Sequence, residues 1–146
     1  MRGTRATVWT EPLQRLTSVY SVATTAGTAL VLGYVTPEVL LARTDIEPAD
    51  VDQWLLAYRA VGFIFLLLNA IGIAAVRDKP WVFWIVLPTW LFQGIGFFAV
   101  DWPATGLRDL ALIATYVTDL GSGLLALILL GFLIRYRTAW AYQRIR

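Results

Sequence analysis

The twenty-four residues from Ala111 to Ile134 are almost wholly apolar, and the sharpest interruption among them is a carboxylate, Asp119. A stretch of this length matches the ~20 residues that cross the hydrocarbon core of a bilayer as a helix. A charged Asp near the middle of such a helix costs about 2.5–3.5 kcal/mol on insertion scales, so it must face protein or water and find a partner. On a helical wheel its neighbours are Thr115, Tyr116, Ser122, Gly123 and Ala126, which are small or polar. Ile113, Val117, Leu124, Leu125, Ile128 and Phe132 make the other face, which suits lipid. The helix therefore has an inside, and Asp119 marks it.

Three more stretches share this character, which gives spans at about residues 16–35, 54–76, 81–100 and 111–134. The chain is 58% hydrophobic and 15% charged, against about 45–50% and 25% for a soluble domain. With 146 residues, little is left outside the membrane, and the reading is a single four-helix transmembrane domain over 1–146. Asp119 is the only carboxylate inside any of these spans.

The connections carry a charge pattern. Arg2, Arg5 and Arg15 precede the first span, which reads as a retained signal anchor. Arg77-Asp78-Lys79-Pro80 makes a basic turn, and Arg135, Arg137, Arg144 and Arg146 fill a tail over 135–146 with Tyr136, Trp140 and Tyr142 between them. The 36–53 loop is acidic, with Glu38, Asp45, Glu47, Asp50 and Asp52. The positive-inside rule then predicts both termini on the cytoplasmic side of a plasma (bacterial inner) membrane. Trp54 and Trp102 would lie in the outer aromatic belt, and Trp9, Trp81, Trp84 and Trp140 in the inner one. Glu47-Pro48 is expected to open the second long helix, with Pro at its first position, and Pro88 to kink the third.

Each span shows a seam repeating near 3.5 residues, the period of left-handed packing near +20°. The expected architecture is an all-α, up-down-up-down left-handed bundle. In the first span the seam is a hydroxyl stripe of Thr17, Ser21, Thr24 and Thr28; in the second it is Leu55, Arg59, Gly62, Leu66, Asn69 and Ile73. At about 1.5 Å per residue, Arg59 lies about 27 Å above Arg77, and Asp119 about 24 Å above Arg135. The two should meet at one level as an intramembrane ion pair. Asn69 and Gln93 lie lower and, with Thr28, Thr89 and Tyr116, make a possible polar pocket; interhelical hydrogen bonding is the simpler use of such residues. Gly94-x-Gly96 and Gly121-x-Gly123 sit in apolar helices and read as packing sites.

Several function classes fall away. With no Cys and no His, thiolate chemistry, iron–sulfur clusters and the usual haem and zinc ligands are excluded. The acidic loop lacks the spacing of a calcium loop, and no nucleic-acid motif is present. No metal and no cofactor are expected, and no catalytic constellation is visible. The Arg side chains of the tail, Arg135, Arg137, Arg144 and Arg146, are suited to anionic lipid headgroups.

In size, in its four spans and in the helix-start pattern Tyr58-Arg59-Ala60-Val61-Gly62, the chain resembles the small DoxX-like membrane proteins. That resemblance implies a four-helix membrane fold and carries no site residue with it. The leading expectation is a non-enzymatic accessory or scaffold subunit that packs against another membrane protein or a second copy of itself. The alternative is a transporter or binder of a lipid, quinone or hydrophobic cation that uses the polar layer around Asp119.

Overall fold

A computed structural model describes residues 4–100, 105 and 107–145. Four of its helices are long and apolar enough to cross a membrane: Thr10–Tyr34, Val51–Arg77, Pro80–Ala99 and Asp109–Tyr136. We call these α1, α3, α4 and α5. A short helix α2, Pro37–Arg43, stands between α1 and α3. The predicted spans are recovered, each differing by a few residues at its ends.

Local chemistry explains these ends. α1 starts at Thr10, six residues before the expected Leu16. The Thr7 amide donates to Thr10 Oγ1 at 3.0 Å, and Glu11 pairs with Arg15 across the first turn, so polar residues extend the helix beyond its apolar part. The region expected as loop holds α2 because Thr36 caps it, accepting from the Val39 amide at 3.3 Å, and Pro37 sits at its first turn. Seven residues are too few for periodicity to reveal. Pro48 does not open α3. A turn closed by the Asp50 amide on the Glu47 carbonyl at 2.9 Å comes first, and the helix begins at Val51. The last six residues of α3, Gly72–Arg77, tighten to a 3₁₀ helix, and Asp78 turns the chain with φ 57° into α4. α4 continues through Pro88, where the Thr89 hydroxyl donates to the Ile85 carbonyl at 2.7 Å.

α5 is not uniform. Between Asp109–Thr115 and Gly121–Tyr136 lies a π-helical turn, Tyr116–Leu120, which contains Asp119. Such turns insert an extra residue per turn and rotate everything after them about the axis.

Close approaches set the packing. Gly62 faces Leu32 while Gly72 faces Ser21, so α1 and α3 run antiparallel. A Cβ placed on Gly94 would fall 2.4 Å from the Gly123 Cα, so α4 and α5 touch backbone to backbone there. Gly27 faces Thr118, which seats α1 against the π turn. Gly94 and Gly123 thus act as packing sites, as read from the sequence; Gly96 does not and faces open space.

Two apolar clusters occupy the two ends of the bundle. At the end carrying the 77–80 turn, Leu13, Val82, Phe83, Val86, Trp90, Ala126, Leu129 and Trp140 pack together. At the other end, Val35, Leu40, Val51, Leu55, Leu107 and Ala111 do so. Trp140 does not stand in an aromatic belt. It is wholly buried, edge-on to Phe83 at 5.1 Å, and its indole donates to the Lys79 carbonyl at 3.2 Å. The tail folds back to put it there: a 3₁₀ turn, Ala139–Ala141, leads into a strand β2, Gln143–Arg144, antiparallel to β1, Thr4–Arg5. Trp9, Trp81 and Trp84 are exposed as a belt requires; Trp102 lies outside the described residues.

Candidate functional site

The half of the bundle that carries the 36–50 connection and Leu107 is hollow. A cavity of about 380 Å³ opens between the four long helices. Thr28 and Val31 of α1, Tyr58 and Phe65 of α3, Phe92 and Gly96 of α4, and Thr115 and Thr118 of α5 are among its walls. Its size falls within the ~300–1,000 Å³ typical of small-molecule sites, as does its mainly apolar lining with a few convergent polar groups.

The polar groups gather around Asp119. Gln93 Nε2 donates to Asp119 Oδ1 at 3.3 Å, and both residues line the cavity. Gln93 Oε1 is buried and without a partner. Either orientation of that amide leaves one of its two polar atoms open. The Thr118 hydroxyl is turned back to the Thr115 carbonyl at 3.2 Å. No lysine or arginine lies among the described residues of the lining. Two stacked aromatic pairs complete the wall: Trp54 with Tyr58, centroids 5.0 Å apart, and Phe65 with Phe92 at 5.9 Å.

The expected ion pair does not form. Arg59 is exposed, and no salt bridge joins it to Asp119. The error is one of helical phase. The inward positions of α3 are Val51, Leu55, Tyr58, Gly62 and Asn69, so Tyr58 takes the place assigned to Arg59, one residue and about 100° away. An aromatic side chain facing inward replaces a guanidinium, and Asp119 meets an amide where a cation was expected.

The predicted polar pocket divides. Thr28 and Gln93 line the cavity. Asn69 is fully buried below it and accepts from the Trp90 indole at 3.1 Å, so it belongs to the core. Thr89 is buried and bonded to its own helix. Tyr116 is exposed and lies edge-on to Phe97 at 4.9 Å. Thr115 and Thr118 take its place in the lining because the π turn changes which residues of α5 face inward. Tyr20, which the sequence reading passed over, supports that turn: its hydroxyl donates to the Val117 carbonyl, and the missing Cβ of Gly121 makes room for it. A glycine two residues after the intramembrane acid was the available signal.

Arg135, in the last turn of α5, and Arg137, just past it, are exposed, with the Arg135 guanidinium 5.7 Å from the Tyr136 ring centroid. Arg144, on β2, is exposed too and donates to the Arg137 carbonyl at 3.4 Å; Arg146 lies outside the described residues. No group of three or more potential metal ligands occurs among the described residues. No family model, curated protein or solved structure matches this chain, the DoxX-like proteins included.

Proposed function

We propose that this is a non-enzymatic, multi-pass protein of a bacterial plasma membrane that binds a hydrophobic cation in the cavity above Asp119, as a carrier of such molecules would. The observation that carries the reading is a half-buried carboxylate on an apolar cavity, accompanied by an amide and, among the described residues of the lining, by no basic side chain. A carboxylate at membrane depth requires compensation, and a ligand bearing positive charge supplies it. The Trp54, Tyr58, Phe65 and Phe92 rings add faces to which a delocalised or quaternary cation is attracted. A left-handed up-down-up-down bundle with both termini cytoplasmic belongs to the same reading, supported by the basic 77–80 turn and tail.

An accessory-subunit role draws on the broad apolar surface, with residues such as Ile95, Phe98, Leu124 and Leu127 exposed. Lipid contact alone calls for that surface. The cavity calls for a ligand.

The test is equilibrium binding of a fluorescent lipophilic cation to the protein in nanodiscs. The wild type should bind saturably, Asp119→Asn about tenfold or more weakly at unchanged helicity, and Gly96→Leu, which fills open space at the wall, not measurably. A neutral analogue of the dye should bind poorly. Equal affinity of wild type and Asp119→Asn would sink the reading.

A further inference from the structure

Below the cavity floor lies a second polar site. Four side-chain atoms are buried without a hydrogen-bond partner: Ser21 Oγ, Asn69 Nδ2, Gln93 Oε1 and Ser122 Oγ. They come one each from α1, α3, α4 and α5. Ser21, Asn69 and Ser122 are wholly inaccessible, and Gln93 is 7% exposed.

These four are neighbours in sequence of contacts. Ser21 Oγ lies against Gly72, where a Cβ would come within 2.0 Å of it, and Asn69 stands one turn away on the same helix. Asn69 accepts from Trp90, and Gln93 stands one turn beyond Trp90. Gln93 donates to Asp119, and Ser122 lies three residues further along α5. Each step is a contact or a single helical turn, so the open atoms form one connected polar layer about two helical turns deep across mid-bundle. They comprise two hydroxyls, which both donate and accept, an amide donor and an amide acceptor. An isolated polar group buried this way costs about 1–3 kcal/mol by mutational measures, and here four are linked one to the next.

We propose that this layer is a water-binding site, a hydrated lower compartment continuous with the cavity through Gln93 and Asp119. Buried water typically makes about three hydrogen bonds to polar groups otherwise left open, and the mixed donor and acceptor set suits water better than a cation, which needs acceptors alone. The compartment meets the polar seam of α1, where Thr10, Gln14, Thr17, Ser21, Thr24 and Thr28 are all buried at steps of four and three. Near the opposite end of the bundle Gln14 of that seam donates to Asp78 Oδ1 at 2.6 Å. The proposal goes beyond cation binding and does not depend on it.

Asn69 is the only asparagine in the sequence, so protein labelled with ¹⁵N-asparagine gives one side-chain amide signal with no assignment needed. In detergent micelles or nanodiscs, without any ligand, that amide should show magnetisation transfer from water, strongly reduced in the Ser21→Ala/Ser122→Ala double variant. The melting temperature supplies the second readout. If water bridges these groups, removing two hydroxyls strands it and the variant melts several degrees lower. If the layer is dry, removing two unpaired hydroxyls relieves a cost and the variant melts higher. Absence of water transfer to Asn69 in the wild type overturns the proposal whatever the melting shows, and a raised melting temperature overturns it too. Neither readout moves if the protein simply fails to bind the cation.

Discussion

The same four helices pack solidly at one end of the bundle and enclose a cavity at the other. At the solid end the inward positions of α4 are Val82, Phe83, Val86 and Trp90, and the tail returns to drive Trp140 in among them. At the hollow end they are Phe92, Gln93, Gly96 and Val100, facing Gly62, Thr115 and Thr118. What opens the hollow half is the run of small residues at facing positions, Gly62, Gly96, Thr115 and Thr118. A bundle whose inward residues shrink along its length must either bring its helices together or leave space. Large side chains at Val35, Leu40 and Leu55 close the far end and hold the helices apart around the gap. The hollow is therefore built, and the solid end is the frame that holds it open.

That contrast can be broken most severely at Trp140. Trp140→Ala removes one of the two largest buried side chains of the solid end and should cost about 3–5 kcal/mol, read as a lowered midpoint in detergent unfolding. Loss of less than about 1 kcal/mol would mean that the tail is not part of the frame. A smaller effect separates two glycines of α4. Gly94→Ala places a methyl against the Gly123 backbone and should destabilise by about 1–3 kcal/mol. Gly96→Ala meets nothing within 4 Å and should be neutral or gain about 0.5–1 kcal/mol from lost backbone freedom in the unfolded chain. Equal effects would deny that one glycine faces packing and the other space. Smaller again is Gln14→Leu. It removes the 2.6 Å bond to Asp78, and because Asp78 is exposed and water takes the amide's place, the cost should be about 0.5–1 kcal/mol.

The smallest effect is one of pH. Tyr142, in the tail beyond the spans, has its phenol pushed up from 10.0 to about 12, first by burial and then by its hydrogen bond to Asp78. The folded state thus favours the neutral phenol. The stability it adds is whole below pH 10 and is lost as pH rises through 12. Unfolding midpoints across that window should fall for the wild type and flatten in Tyr142→Phe. Parallel slopes would show that the tail does not hold this phenol.

Much of this fold was legible in the sequence, because the forces that reveal it are local. Four apolar stretches of membrane length, Gly94 and Gly123 as packing sites and the hydroxyl stripe of α1 all follow from composition and a 3.5-residue period. The site was legible only as a set of residue types. Asp119 and Gln93 stand out in any apolar helix, but their company depends on rotation, and rotation accumulates error. A single residue separates Arg59 from Tyr58, both plausible on one seam, and choosing wrongly turned an aromatic wall into an ion pair. The π turn adds a similar shift in α5, and its one signal, Gly121, lies just beyond the turn and speaks only once Tyr20 is seen against it. Trp140 escaped for a different reason: its burial depends on a strand pairing between Thr4–Arg5 and Gln143–Arg144, too short for alternation to show.

The polar seam of α1 also bears on how the chain enters a membrane. Its mean hydropathy of 1.3 is well below the 2.1 of α3 and of α5, and the deficit lies on one face. Lipid is a poor neighbour for that face, so α1 alone gains little by leaving the insertion machinery. Its hydroxyls and amide find lasting cover only when α3 and then α5 arrive, and the expected biogenesis is retention of α1 beside the translocon until a later helix is made. Crosslinks from α1 to the insertion machinery should then persist in truncated nascent chains that end before α3 emerges.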